Sequence, residues 1–219
     1  MTLGFELCGS YSLFNSSMNG IKHAPLSSVE ELSTYLAQFR YAHGLTRARR
    51  ALTYIRNGSA SPRETDLFMM LCLPLRLGGF GLPEAKLNET LDVKKRARVA
   101  TGLAAITPDL CWKEKRVALE YESTESHGAY VSPAELRLMN QRKLASDSER
   151  RRTYEVMQMT VLTVTNGEFI HYQDVERIAK LLARRLGKHG LTSTFAAEVK
   201  RHELHSWLRI PVERRSETI

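Results

Sequence analysis

Pro108-Asp109-Leu110-Cys111-Trp112 and Arg116-Val117-Ala118-Leu119-Glu120-Tyr121-Glu122 are separated by only Lys113-Glu114-Lys115. Two strand-like runs around three polar residues read as a β-hairpin. Residues two apart on a strand share a face, so Glu120 and Glu122 point together, and pairing brings Asp109 close to Glu120 at the open end. Carboxylates converging on one patch repel, and the usual remedies are a raised pKa or a bound divalent cation. Oxygen ligands of this kind suit Mg²⁺ or Mn²⁺, which can position water and stabilise charge on a phosphodiester. The plainer reading leaves Glu122 solvated at a strand end.

Downstream of the hairpin, Ser132-Pro133 opens a helix that can run to about Gln158, and the β-branched stretch Thr160 to Thr165 predicts a buried strand. A strand–helix–strand unit is best met by a right-handed crossover that sets the last strand parallel in the same sheet. Asn166-Gly167 reads as a turn, and two helices follow, near Gln173 to Leu186 and Thr194 to Leu208. Upstream, Ser61, Pro62 and Glu64 give a sharp helix start, and the apolar run Leu67 to Leu73 predicts a buried helix ending at Pro74. Ser28 and Glu31 form a capping-box pattern before Leu32, Tyr35, Leu36 and Phe39, and a second front helix is expected from Thr46 to Arg56. Residues 1–27 look like a loosely built lead-in. The Gly78-Gly79-Phe80-Gly81 stretch lacks the Gly-Lys-Ser/Thr ending of a phosphate loop and reads as a turn between helix and sheet. The class is α/β with a helical front.

Among 219 residues, 32 Lys plus Arg face 24 Asp plus Glu, a formal net charge of +8, with 42% hydrophobic residues. This is the balance of a globular protein rather than a disordered chain. No apolar run approaches the ~18–20 residues of a membrane span, and Met1 to Leu13 carries no basic cluster of a secretory signal. Three widely spaced cysteines without a C-x-x-C pair argue against a disulfide framework and suit a cytoplasmic protein. Residues 137–219 hold 16 basic and 10 acidic residues, so most of the surplus charge lies in the last 83. A basic surface attracts phosphates, and a solvated pair of helix faces is the bland alternative.

Pro108-Asp109, ten intervening residues, then Glu120-Tyr121-Glu122 resembles the PD-(D/E)XK nuclease core, with Glu122 where the lysine would stand. Glu120 to His127 is similar to the E-x-D-G…H segment of an endonuclease-like domain of unknown function related to very-short-patch repair (Vsr) endonucleases. Asp147, Arg150 and the segment Tyr154 to Thr165 resemble that family's D-x-x-R helix and last core strand, and Gly58 to Thr65 its G-S-x-S-P-x-E-T segment. The likeness covers roughly residues 58–166. It departs in the missing lysine and in Glu122-Ser123, where the family carries Asp-Gly.

The resemblance implies a restriction-endonuclease-like three-layer core with a mixed sheet over 58–166. A helical extension over 1–57 precedes it, and a basic helical region over 167–219 follows. It implies a metal-dependent DNA endonuclease in which Asp109 and Glu120 bind Mg²⁺ or Mn²⁺, Glu122 completes the site and His127 transfers a proton. Glu64 joins them as an active-site acid, or else it is the reciprocal arm of the Ser61 capping box. Asn140, Lys143, Asp147, Arg150 and Tyr154 form one polar stripe at helical spacing. On it Arg150 could orient a carboxylate, Asp147 could orient His127 and Lys143 could replace the missing lysine; the alternative is an exposed, self-paired face. Arg151, Arg152, Arg184 and Arg185 are candidate DNA phosphate contacts, and Trp112, Trp207 and the methionines read as packing. The rival reading keeps the fold without catalysis, as a DNA-binding or regulatory module of a defence or toxin–antitoxin system. Its companion would be an operon partner protein or a second copy of the chain. A helical protein–protein adaptor ranks last, because it ignores the hairpin.

Overall fold

The computed structural model describes residues 1–12, 21–122, 133–191 and 194–210. In chain order it runs α1 (Thr2–Leu7), β1 (Tyr11–Ser12), β2 (Ile21–Lys22), α2 (Val29–Ala37), α3 (Leu45–Leu52), α4 (Pro62–Cys72), β3 (Lys86–Leu87), β4 (Leu91–Asp92), α5 (Lys95–Thr101), β5 (Ala105–Ile106), β6 (Leu110–Trp112), β7 (Val117–Glu122), α6 (Pro133–Val156), β8 (Thr160–Thr165), α7 (Asn166–Ile170), α8 (Tyr172–Arg185) and α9 (Phe195–Leu208). The protein is α/β, with a mixed four-stranded sheet in the order β3-β6-β7-β8. The expected hairpin is β6–β7, antiparallel, with Leu110 opposite Leu119 and one 3-10 turn at Lys113–Lys115 between the strands. β8 pairs parallel to β7 along its whole length, Glu120 beside Thr163 and Glu122 beside Thr165.

Alternation along the hairpin divides the apolar residues between two layers. Leu110, Trp112, Val117 and Leu119 enter the large core, with Leu67, Phe68 and Leu71 of α4, Val175, Ile178 and Leu182 of α8, and Leu208 of α9. Cys111 and Ala118 face the other way, against Tyr154 of α6 and against Leu91 and Ile106 of the small β4–β5 ribbon. The sheet is therefore covered on both faces, and the acids of β7 emerge on the side that α6 covers. Trp112 is a core residue, its indole N–H donating to the Pro83 carbonyl.

α4 forms as the sequence predicts: Ser61 caps it by accepting from the Glu64 amide, Pro62 opens it, and nine of its eleven residues are buried. The Gly78–Gly81 stretch folds back on the end of α4, and at Gly79 a side chain would collide with the Leu73 carbonyl. The capping box at Ser28 is present, although α2 buries none of its residues fully.

Four expectations need correction. Residues 1–27 are not a loose lead-in throughout, because Phe5, Cys8 and Tyr11 are core residues and the Tyr11 hydroxyl bonds to Thr65 Oγ1 at 2.8 Å. The second front helix is shorter than Thr46 to Arg56 and ends at Leu52, its cap residue Thr53 bonding back to the Arg50 carbonyl. β8 is only partly buried, Val164 being its one fully buried side chain, because it is the edge strand. Asn166-Gly167 starts α7 rather than making a turn, since Thr165 and Glu168 close a capping box there. The basic helix α5 and the two-residue strands β1 to β5 were not anticipated.

Candidate active site

Asp109 precedes β6 in the register that faces Glu120, and its Oδ2 accepts the Tyr121 amide at 2.6 Å. That bond takes one carboxylate oxygen and leaves Oδ1 without a partner among the described residues. Burial, followed by the nearby charges of Glu64 and Glu120, pushes the Asp109 carboxyl up to about 7. The Tyr121 amide and Arg150 oppose that shift without cancelling it. Mutual repulsion of this kind is the expected signature of acids gathered on one patch.

Glu120 is held from α6. Arg150 and the Tyr154 hydroxyl both donate to its Oε1, so Oε2 stays open among the described residues. Arg150 also donates to the Thr107 carbonyl at 3.3 Å, which pins the guanidinium between the β5–β6 connection and the acid. Burial and the Glu120 acceptor both raise the Tyr154 phenol, so it remains a donor across the physiological range. Glu122, at the exposed end of β7, meets the Lys143 ammonium at 3.0 Å, and that contact raises the lysine.

Glu64 is buried, 8% exposed, at the first turn of α4. Its carboxylate accepts the Ala60 amide at 2.8 Å, the Ser61 hydroxyl at 2.8 Å and the Asn88 side-chain amide at 2.5 Å. The backbone donor it takes is therefore Ala60, one residue before the cap, so the capping box with Ser61 is not reciprocal in the usual way. Burial raises this carboxyl despite its three donors. The segment Gly58 to Thr65 becomes intelligible as a unit. Gly58 has φ 89, and a Cβ there would lie 2.9 Å from the Leu87 carbonyl. Ser59 joins Thr65 in the buried hydroxyl chain that ends at Tyr11.

The stripe on α6 thus turns inward at three positions: Lys143 to Glu122, and Arg150 and Tyr154 to Glu120. Lys143 and Asp147 stay exposed, and among the described residues no ion pair joins members of the stripe along the helix. Lys143, Arg150, Tyr154 and the two acids line an open cleft of about 670 Å³ together with Asp147 and Arg151 of α6 and with Met159, Val161 and Thr163. Arg150, Arg151 and Arg152 diverge because successive helical residues point about 100° apart. Arg150 reaches the acid, Arg151 the cleft, and Arg152 bonds back to the Ser148 carbonyl at 3.3 Å. Arg184 and Arg185 lie exposed in the last turn of α8, where the helix dipole favours cations, and do not line the cleft. His127 and the turn at Ser123 fall outside the described residues, and so does the suggested Asp147–His127 pair.

Asn88 escaped the sequence reading. It sits at φ 48, donates to Glu64 and to the Gly58 carbonyl, and its amide bonds the Asp109 carbonyl at 3.0 Å. The only local signal was an asparagine, which after glycine tolerates left-handed backbone best, between short strand-like runs.

Among the described residues no group of three or more His, Cys, Asp or Glu is arranged to hold a metal ion. Two carboxylates with one open oxygen each are nonetheless a donor set that suits Mg²⁺, which commonly takes one or two carboxylates and fills its shell with water and phosphate. No protein-family model, curated protein or solved structure matches this chain. Among the described residues no helix is long and apolar enough to cross a membrane.

Proposed function

We propose that the protein is a metal-dependent deoxyribonuclease of the PD-(D/E)XK type, similar to the Vsr-related endonuclease-like domain. The observation that carries this reading is the pairing of Asp109 with Glu120 at the hairpin's open end, each fixed through one oxygen and open at the other. Asp109 and Glu120 would hold Mg²⁺ or Mn²⁺, which when bound supplies a polarised water and charge stabilisation on the phosphodiester. Arg150 and Tyr154 keep the Glu120 carboxylate in one orientation before any ligand arrives, so no binding energy is spent on ordering it. Lys143 places a positive charge on the cleft wall beside Glu122, in the spatial role of the missing lysine. Glu64 acts on the site through its charge and through Asn88, which ties its carboxylate to the Asp109 backbone. Proton transfer is assigned to His127 by the resemblance.

The test is cleavage of supercoiled DNA in Mg²⁺ or Mn²⁺, comparing wild type with Asp109→Ala and Glu120→Ala. Loss of at least about 100-fold in rate for each variant is expected from removing a ligand of the reacting centre. Equal rates, or no cleavage by any preparation, would sink the enzyme reading. One observation favours the rival, a DNA-binding or regulatory module that has lost catalysis. Glu64 has both carboxylate oxygens engaged by three donors, and Glu122 is tied through Oε1 to Lys143, so two of the acids named for the site already have partners among the described residues. Calorimetric titration with Mn²⁺ separates the two, since the rival expects no heat of binding.

A further inference from the structure

A basic cluster denser than the C-terminal surplus lies in front of the hairpin. Residues 93–108 contain Lys94, Lys95, Arg96 and Arg98 and no carboxylate. Lys94 caps α5, and Lys95 and Arg98 lie on it; all three side chains are exposed, and among the described residues none forms an ion pair. Arg98 Nε donates to the Val93 carbonyl at 2.7 Å, which anchors the stem and leaves its outer N–H groups to face outward. α5 packs against α6, the helix that carries Arg151 and Arg152.

The two lysine charges run against local stability. Lys94 and Lys95 stand at the N-terminal end of their helix, where the dipole favours acids, and α5 has no acid in its first turn. Arg184 and Arg185, by contrast, occupy the end where helix physics alone would put them. Arg98 stands in the last turn of α5, where a cation is favoured, but the two lysines are set against the dipole, and all three charges are exposed and without an ion pair among the described residues, an arrangement that suits an external anion.

We propose that Lys94, Lys95 and Arg98, with Arg151 and Arg152 on the adjoining helix, form a ridge that grips the phosphate backbone of duplex DNA. The choice of DNA rests on the nuclease reading of the neighbouring cleft. From Lys94 to Arg98 the helix rises about 6 Å, against one phosphate per ~3.4 Å of strand, so the ridge spans about two successive phosphates rather than a single small anion. α5 carries one exposed large apolar residue, Val99, which is too little for a membrane-inserting face.

The experiment measures binding of the full chain to a fluorescein-labelled duplex in EDTA, by anisotropy over a range of salt. K94E/K95E/R98E should weaken binding about tenfold or more and flatten the salt slope by about 2.7, the value for three lost contacts. R40E/R47E/R50E, the same charge change on exposed positions around α3, should stay within about threefold. The single variant K95E puts an acid into the first turn of α5, so its melting temperature should not fall while its affinity does. Equal behaviour of the two triple variants, no duplex affinity in wild type, or tighter binding to anionic phospholipid vesicles than to duplex would each overturn the proposal. Cleavage assays on the same preparations keep the two readings apart. Weakened binding without cleavage by any preparation leaves the ridge standing and removes the nuclease. Cleavage by wild type with normal binding by the ridge variant does the reverse.

Discussion

The two faces of β7 follow different rules although they share one backbone. Val117 and Leu119 are sealed in the main core and set the strand's register. On the opposite face, Ala118 is fully buried, Glu120 partly so and Glu122 exposed, so burial drains away toward the strand end. The first face spends apolar area to hold the strand, and the second uses the position so obtained to present charge. The acids are therefore passengers of the fold, and their removal should cost it little or even relieve it.

The comparison can be broken most directly at Leu119. Leu119→Ala should lower unfolding free energy by about 3–5 kcal/mol in urea titration, as for a fully buried leucine. A loss below about 1 kcal/mol would mean that the apolar face does not hold the strand.

Asp109→Asn should act in the opposite direction. The folded carboxyl titrates near 7 against an ordinary 3.8, so the fold binds this proton more tightly than the unfolded chain does. The resulting stability is fully present below about pH 4 and is lost as pH rises through 7. At pH 8 without divalent metal, an amide that cannot ionise should make the variant more stable than wild type, on the order of 2–4 kcal/mol. The advantage should vanish near pH 4, and added Mn²⁺ should stabilise only wild type. A variant less stable at pH 8 would overturn the picture of Asp109 as a strained acid.

The smallest effect is expected at the rim. Lys143 and Glu122 are both about half exposed, and such pairs contribute little. Lys143→Met should shift stability by no more than about 0.5 kcal/mol while lowering any metal-dependent cleavage. A large stability loss would make Lys143 a structural residue.

What could be read in the sequence depended on how local its cause was. α4 was legible because cap, proline and apolar run lie within a dozen residues, and the hairpin because alternation and turn are contiguous. β8 was legible as a strand but not as an edge, since β-branched runs look alike at the centre and the margin of a sheet. Phe5 and Cys8, three apart, were a helical signal too short to outweigh the polar residues around them. The stripe on α6 could be seen, whereas its partners could not, because only the parallel pairing of β8 with β7 brings that helix over Glu120. Asn88 depends on three backbone segments meeting, and no window of sequence contains them.

The crossover from β7 through α6 to β8 also orders events in time. Asp109 and the Tyr121 amide are 12 residues apart and can meet as soon as the hairpin closes. The bonds that complete the cleft reach further, 21 residues from Glu122 to Lys143 and 34 from Glu120 to Tyr154. Closing the longer loops and aligning a parallel strand is slow compared with forming a hairpin. Sequence separation alone therefore predicts that Asp109 and Glu120 pair before Lys143, Arg150 and Tyr154 close over them. An unfinished chain carries the carboxylates but has no cleft, and whatever chemistry the cleft performs begins only when the final strand is in place.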